Sequence, residues 1–183
     1  MQMKHKIIIN KNKFNIIVER LSHQLIENHG DFKETVLIGI QPRGTHLCNR
    51  IYQKLSSLLS NQNIKIGNLD ITFYRDDFRR RKNPLEPQTI DINFSIEGKH
   101  VILIDDVLYT GRSVRAAMDA LMAFGRPKSV ELTVFIDRRF SRHLPIQPNY
   151  VGQIVDTIAS EKVIVEWEEI SGKDQVILLN SEK

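Results

Sequence analysis

Short apolar runs alternate along the chain with longer segments in which apolar residues recur every three or four positions. The first long segment, FNIIVERLSHQLIENHG, sets Ile16, Ile17, Leu21, Leu25 and Ile26 near helical spacing and stops at Gly30, which predicts a helix ending there. TVLIGI then reads as a short buried strand, Pro42, Arg43 and Gly44 as a turn, and THLCNRIYQKLSSLL as a second helix. NLDITFYR, with Leu69, Ile71 and Phe73 alternating, predicts a strand. Behind it, Pro84 and Pro87 exclude regular structure from DDFRRRKNPLEPQTIDIN and predict a flexible loop over about 75–92. After Gly98, HVILIDDV is a fully apolar strand up to its acids. SVRAAMDALMAFGRP returns to helical spacing, with Val114, Ala117, Met118, Leu121 and Met122 on one face, and ends at Gly125. SVELTVFIDRR is a further strand, and the tail EKVIVEWEEISGKDQVILL reads as a hairpin. Strands alternating with helices predict an α/β fold, a mostly parallel sheet flanked by helices with right-handed crossovers. No repeat or low-complexity linker divides the chain, so one domain over 1–183 is expected.

Composition narrows the class. With 183 residues, 41% hydrophobic and 26% charged, the chain has material for a sizeable core and is unlike a disordered sequence. Its 26 basic and 22 acidic side chains leave a net charge of +4, which suits an anionic ligand or nucleic acid without requiring either. Cys48, a lone cysteine, offers no internal disulfide and no zinc cluster, so a reducing cytoplasmic setting is expected. The apolar run in MQMKHKIIINKNKF is too short for a signal peptide, and no stretch of about 18 apolar residues is available to span a bilayer. His46 and Cys48 lack metal-spaced partners and read as structural, and Trp167 reads as a packing aromatic.

The chemistry concentrates in VILIDDVLYTGRS, residues 101–113, where an apolar strand ends in Asp105 and Asp106. In open α/β sheets the ligand crevice lies beyond the carboxyl ends of the strands, which is where these acids fall. The loop after them enters a helix, whose free N–H groups and positive dipole end can hold a phosphate, helped by the Thr110 and Ser113 hydroxyls and the small Gly111. Acids beside a phosphate cradle repel a bare phosphate but suit a sugar phosphate, whose hydroxyls donate to carboxylates. A lone Asp-Asp pair is more commonly a cap or a solvated turn. A response-regulator receiver domain also ends strands in acids, but early in the chain and without a Thr-Gly turn.

Four apolar residues, two acids and an apolar stretch leading to Thr-Gly resemble the phosphoribosyl pyrophosphate (PRPP) signature of type I phosphoribosyltransferases. DITFYRDDF, VILIDDVLYTGRSVRAAMDAL, GRPKSVELTVFIDRR, LPIQPNYVG and SEKV are similar to consecutive segments of the family of bifunctional pyrimidine operon attenuation regulators and uracil phosphoribosyltransferases, over nearly the whole chain. The resemblance implies a type I phosphoribosyltransferase fold with a small hood. It implies transfer of ribose 5-phosphate from PRPP to uracil, giving UMP and pyrophosphate, with Mg2+ carried by PRPP rather than by direct protein ligands. It also implies a homodimer or higher homo-oligomer and, in some bacteria, binding of pyrimidine-operon leader mRNA. The alternatives are an RNA-binding attenuation regulator with weak or no catalysis, and a transferase for another nucleobase.

Carried onto this sequence, the resemblance assigns Asp105 and Asp106 to the ribose hydroxyls as the catalytic acids, and Tyr109, Thr110, Gly111, Arg112 and Ser113 to the 5-phosphate. Arg43 and Gly44 fall to pyrophosphate; Gln41 and Pro42 stand where the family tends to have Lys and Thr, one positive charge and one hydroxyl fewer. The loop from Arg75 to Lys82 carries five bases against two acids and is assigned to closure over PRPP. Val151 and Gly152 fall in the base pocket, beside departures at Gln153 to Ile158 and at Arg139 and Phe140, where the family has Gly-His. Arg20, His23, Arg138 and Arg142, with Arg139, are the candidates for an RNA-facing basic face, opposed by the acid Glu19.

Overall fold

The computed structural model describes residues 4–60, 63–76, 89–158 and 160–180. Five strands, β2 (Thr35–Ile40), β3 (Lys65–Leu69), β4 (His100–Leu108), β5 (Ser129–Arg139) and β6 (Tyr150–Asp156), form one sheet in the order β3-β2-β4-β5-β6. Every neighbouring pair in it is parallel, as the alternation of strands and helices predicts. A second, antiparallel sheet joins β1 (Lys4–Ile9), β8 (Gln175–Asn180) and β7 (Glu161–Glu166) in the order β1-β8-β7.

Helix α1 (Lys11–His29) starts where the Asn10 side chain accepts the Lys13 amide at 3.0 Å and ends where the Gly30 amide reaches the Ile26 carbonyl. It packs with α2 (Gly44–Leu59) on one face of the parallel sheet, while α3 (Arg112–Leu121) covers the other. Side chains of a strand point alternately to opposite faces, and β4 shows it. Ile102 and Ile104 join the core beneath α1 and α2, which continues into the small sheet through Val163, Val165, Trp167 and Val176. Val101 and Leu103 join the core beneath α3. Among the described residues no helix is long and apolar enough to cross a membrane.

Several boundaries differ from the sequence expectation. The third strand starts and ends earlier than NLDITFYR, because the buried Asp70 carboxylate accepts the Thr72 amide at 2.8 Å and its hydroxyl at 2.6 Å and turns the chain into a single 3-10 turn. Phe73 is consequently exposed rather than alternating into the core. On α3, Ala116 and Ala120 take buried positions while Met118 lies exposed, as does Met122 in the 3-10 turn just after it, and on α1 Ile16 is exposed while Phe14 and Val18 are buried. The tail is the expected hairpin with a short helix, α4 (Glu168–Ser171), in its connection. The strands β1 and β6 were not anticipated. Of the loop expected over about 75–92, residues 77–88 lie outside the described residues. At its far end Asp91 is pinned to the sheet edge by paired backbone hydrogen bonds with Asn68 at 2.9 and 3.0 Å.

Candidate active site

Strand alternation sends the two acids to different sides of the sheet. Asp105, in phase with Val101 and Leu103, lines a cleft of about 290 Å³ with Arg75, Tyr109, Thr110, Gly111 and Ser113, closed by apolar walls from Val107 and Val114. Asp106, in phase with Ile102 and Ile104, faces the turn before α2, where Arg43 Nη1 stands 4.0 Å from its Oδ2. The turn approaches closely because residue 44 is glycine: a Cβ there would lie 2.4 Å from the Ile104 carbonyl oxygen and 3.0 Å from Asp105 Cα. The turn before α2, beside Asp106, and the loop after β4, beside Asp105, thus meet across a single strand end.

Both carboxyls are buried, and burial raises their pKa. Asp105 is pushed well above the ordinary carboxylate value by burial and then by the charge of Asp106, against the Asp106 amide that donates to its Oδ1 at 2.9 Å and against Arg75. Asp106 is pushed up to about 6 by burial, with Arg43 pulling the other way. Asp106 Oδ2 has no hydrogen-bond partner among the described residues. An acceptor in that condition costs free energy until a donor arrives, which suits a hydroxyl-bearing ligand.

The loop between β4 and α3 supplies the other half. Gly111 takes φ of 89°, a left-handed conformation that opens α3 without a side-chain cap, so the amides at the start of the helix border the cleft. Arg75 Nη1 donates to Ser113 Oγ at 3.0 Å, joining the end of the β3 segment to this loop, and Arg112 pairs with Asp76. Arg43, Gly44, Arg75, Asp105, Asp106 and residues 109–113 are therefore brought together.

The remaining candidates fall elsewhere. The carbonyls of Val151 and Gly152 accept from the Arg20 guanidinium of α1, at 3.3 Å for Val151, and Gly152 is wedged between Phe135 and Ile17, while the Val151 side chain packs on the other face, against the core beneath α3. Arg138 corrects the expectation of an exposed basic face. It is 4% exposed, its Nε donates to the Thr157 hydroxyl and its Nη2 to the Glu161 carbonyl, both at 3.0 Å, and its guanidinium lies 4.0 Å over the Tyr109 ring. Arg142 likewise turns inward, onto Asp137 and backbone carbonyls, and Arg139 pairs with Asp156 at 2.6 Å; His23 is exposed. As expected, Cys48 is buried and Trp167 is a packing residue, stacked by His46 at 5.8 Å. Sequence reasoning missed the inward role of Arg138 and Arg142; nothing in their spacing distinguishes an arginine that faces solvent from one that holds a loop.

A parallel sheet with strand-end acids set between an Arg-Gly turn and a helix-opening Thr-Gly loop is the arrangement of a phosphoribosyltransferase, and the chain belongs to the family described as the phosphoribosyl transferase domain, whose model matches residues 6–168. Its curated relatives include "Bifunctional protein pyrR" of Enterococcus faecalis, 45% identical over 87% of this chain and 88% of that protein. "Bifunctional protein PyrR" of Haemophilus ducreyi is 42% identical over 96% and 97%. Among solved structures, a hypoxanthine phosphoribosyltransferase from Staphylococcus aureus superposes with a TM-score of 0.70 at 21% identity, covering 96% of this chain and 92% of that one. At that identity the likeness speaks for the type I phosphoribosyltransferase fold alone.

Proposed function

We propose that the protein transfers the 5-phosphoribosyl group of PRPP to uracil, forming UMP and pyrophosphate. The observation that carries this reading is the meeting of Asp105 and Asp106 with the Arg43 turn on one side and the Thr110–Ser113 loop on the other. A ribose placed between them donates its hydroxyls to the carboxylates, its 5-phosphate enters the loop amides, and its pyrophosphate lies toward Arg43 and Arg75. The uracil nitrogen attacks the anomeric carbon, the bond from that carbon to pyrophosphate breaks with both electrons leaving on oxygen, and the nitrogen's proton passes to solvent. No enzyme nucleophile is needed; positioning and charge stabilisation do the work.

Among the described residues no group of three or more side chains could hold a metal ion. Asp105 and Asp106, the latter with an oxygen that accepts no hydrogen bond among the described residues, would suit the neighbourhood of Mg2+ brought in with the substrate. Bound there, Mg2+ would supply charge neutralisation for the leaving pyrophosphate. Pyrophosphate release from PRPP across uracil, cytosine, orotate, adenine, guanine and hypoxanthine tests the base: uracil is expected to be used at least tenfold better than any other, and preference for a purine would replace this reading by the other-nucleobase alternative.

A second activity, binding of pyrimidine-operon leader RNA, is favoured by the word bifunctional in the names of relatives that cover nearly the whole chain. With Arg138 buried and Arg142 turned inward, that role falls to the side of α1 where His23 is exposed, next to Arg20, whose guanidinium is held on the Val151 and Gly152 carbonyls.

A further inference from the structure

The connection from β5 to β6 has no regular structure, yet its donors converge on the phosphate loop. Arg142 Nη1 donates to the Tyr109 carbonyl at 2.6 Å and the Leu108 carbonyl at 3.3 Å, and shares a 3.3 Å contact with the Arg138 carbonyl. Its Nε donates to the Ile146 carbonyl at 3.1 Å and its Nη2 to the Asp137 carboxylate. The next two amides, of His143 and Leu144, both reach the Thr110 carbonyl, at 3.0 and 3.2 Å. Behind Gly111, a Cβ would meet Ile146 Cδ1 at 3.1 Å and Leu144 Cβ at 3.5 Å. Residues 142–146 therefore form a strap along one side of the loop and collect three consecutive carbonyls, those of Leu108, Tyr109 and Thr110.

The consequence follows from peptide geometry. In a trans peptide the C=O and the N–H of the same unit point in opposite directions. Drawing the carbonyls of residues 108, 109 and 110 onto the strap turns the amides of Tyr109, Thr110 and Gly111 the other way, and these are the residues that line the cleft. An anion site made of backbone amides works only if the amides are aimed before the anion arrives, because aiming them afterwards costs conformational entropy. Asp137 balances the charge of Arg142, so the contribution of the arginine is the planar fork that spans several acceptors, which an ammonium cannot do.

We propose that Arg142 is a positioning residue for the 5-phosphate end of PRPP, acting through the carbonyls of Leu108 and Tyr109 rather than by touching substrate. This rests on reading the cleft as a PRPP site. The measurement is PRPP affinity by calorimetry without any base, on the unaltered chain, Arg142→Lys and Arg142→Gln, alongside KM for PRPP and for uracil. Both variants are expected to bind PRPP about tenfold or more weakly, with the uracil KM within about twofold, and Lys, despite keeping the charge, not to restore binding. Hydrogen exchange of the 109–111 amides is expected to quicken in Arg142→Lys while that of residues 101–104 in β4 is unchanged. Should both Arg142 variants fail to fold, Asp137→Asn decides: it leaves Arg142 in place, loosens its anchor, and is expected to weaken PRPP by a smaller factor. PRPP affinity unchanged within about twofold in a folded variant, or an equal loss for uracil, overturns the proposal. An unaltered chain that binds PRPP but transfers it to no base refutes the transferase reading, and the Arg142→Lys affinity still decides the role of the strap.

Discussion

Asp106→Asn is expected to make the ligand-free protein more stable and the enzyme worse. The carboxyl is buried, and its pKa is pushed from 3.8 to about 6, by burial first and against the pull of Arg43. A rise of about two units, at about 1.36 kcal/mol each, corresponds to roughly 3 kcal/mol lost from the folded state when the group is ionised. The native state holds this proton up to about pH 6 and the unfolded chain only to about 3.8, so the native state binds more protons between them. Stability therefore falls as pH rises through that window, and the loss is complete above it. Asn does not titrate and removes the penalty. The gain is expected to be roughly 1–3 kcal/mol at pH 7.5, since the amide stays buried beside Arg43, and to shrink as pH is lowered toward 4. For a chain of this size that corresponds to a rise in Tm of about 2–10 °C. Thermal unfolding at pH 4.5 and 7.5 without ligand reads the stability. PRPP turnover is expected to fall about tenfold to a hundredfold, the worth of a charge-assisted hydrogen bond to ribose. An Asn variant less stable than the parent at pH 7.5, or one whose gain is the same at both pH values, would refute the reasoning from burial.

Arg43→Gln removes the cation 4.0 Å from Asp106, and is expected to raise the KM for PRPP and weaken product inhibition by pyrophosphate, both in steady-state kinetics. It is also expected to move the acid limb of the pH profile upward, because Arg43 lowers the Asp106 pKa. Gly44→Ala puts a methyl 2.4 Å from the Ile104 carbonyl and is expected to cost about 2 kcal/mol or more by denaturant unfolding, with loss of turnover; a variant of parental stability would show that α2 can withdraw freely. Leader RNA titrated in low and moderate salt is expected to bind with few released counterions, each phosphate contact adding roughly 0.7–0.9 to the log-log slope, and His23→Ala is expected to weaken it more than Arg138→Met. The reverse ranking would place Arg138 on the RNA face.

The central strands were legible because each depends on its own residues: TVLIGI, HVILIDDV and SVELTVFIDRR are apolar runs that only burial on both faces explains. The two strand-end acids were legible for the same reason, as charges that interrupt such a run. What was hidden depends on partners far away in the chain. The strand β1 is held by β8, from the opposite end, and an isolated KHKIII gives no sign of that pairing. Asp70 ends β3 through its side chain, although the alternation of Leu69, Ile71 and Phe73 continues past it. Arg138 and Arg142 read as surface charge because a sequence lists the guanidinium and not the Tyr109 ring or the loop carbonyls it meets.

The most direct test of the central claim is to follow UMP formation and pyrophosphate release together from PRPP and uracil, for the parent and for a protein carrying Asp105→Asn with Asp106→Asn. The account predicts one UMP per pyrophosphate in the parent, and loss of both by at least a hundredfold in the doubly altered protein, which stays folded. Pyrophosphate released without UMP, or UMP formed at the parental rate without the two acids, would contradict it.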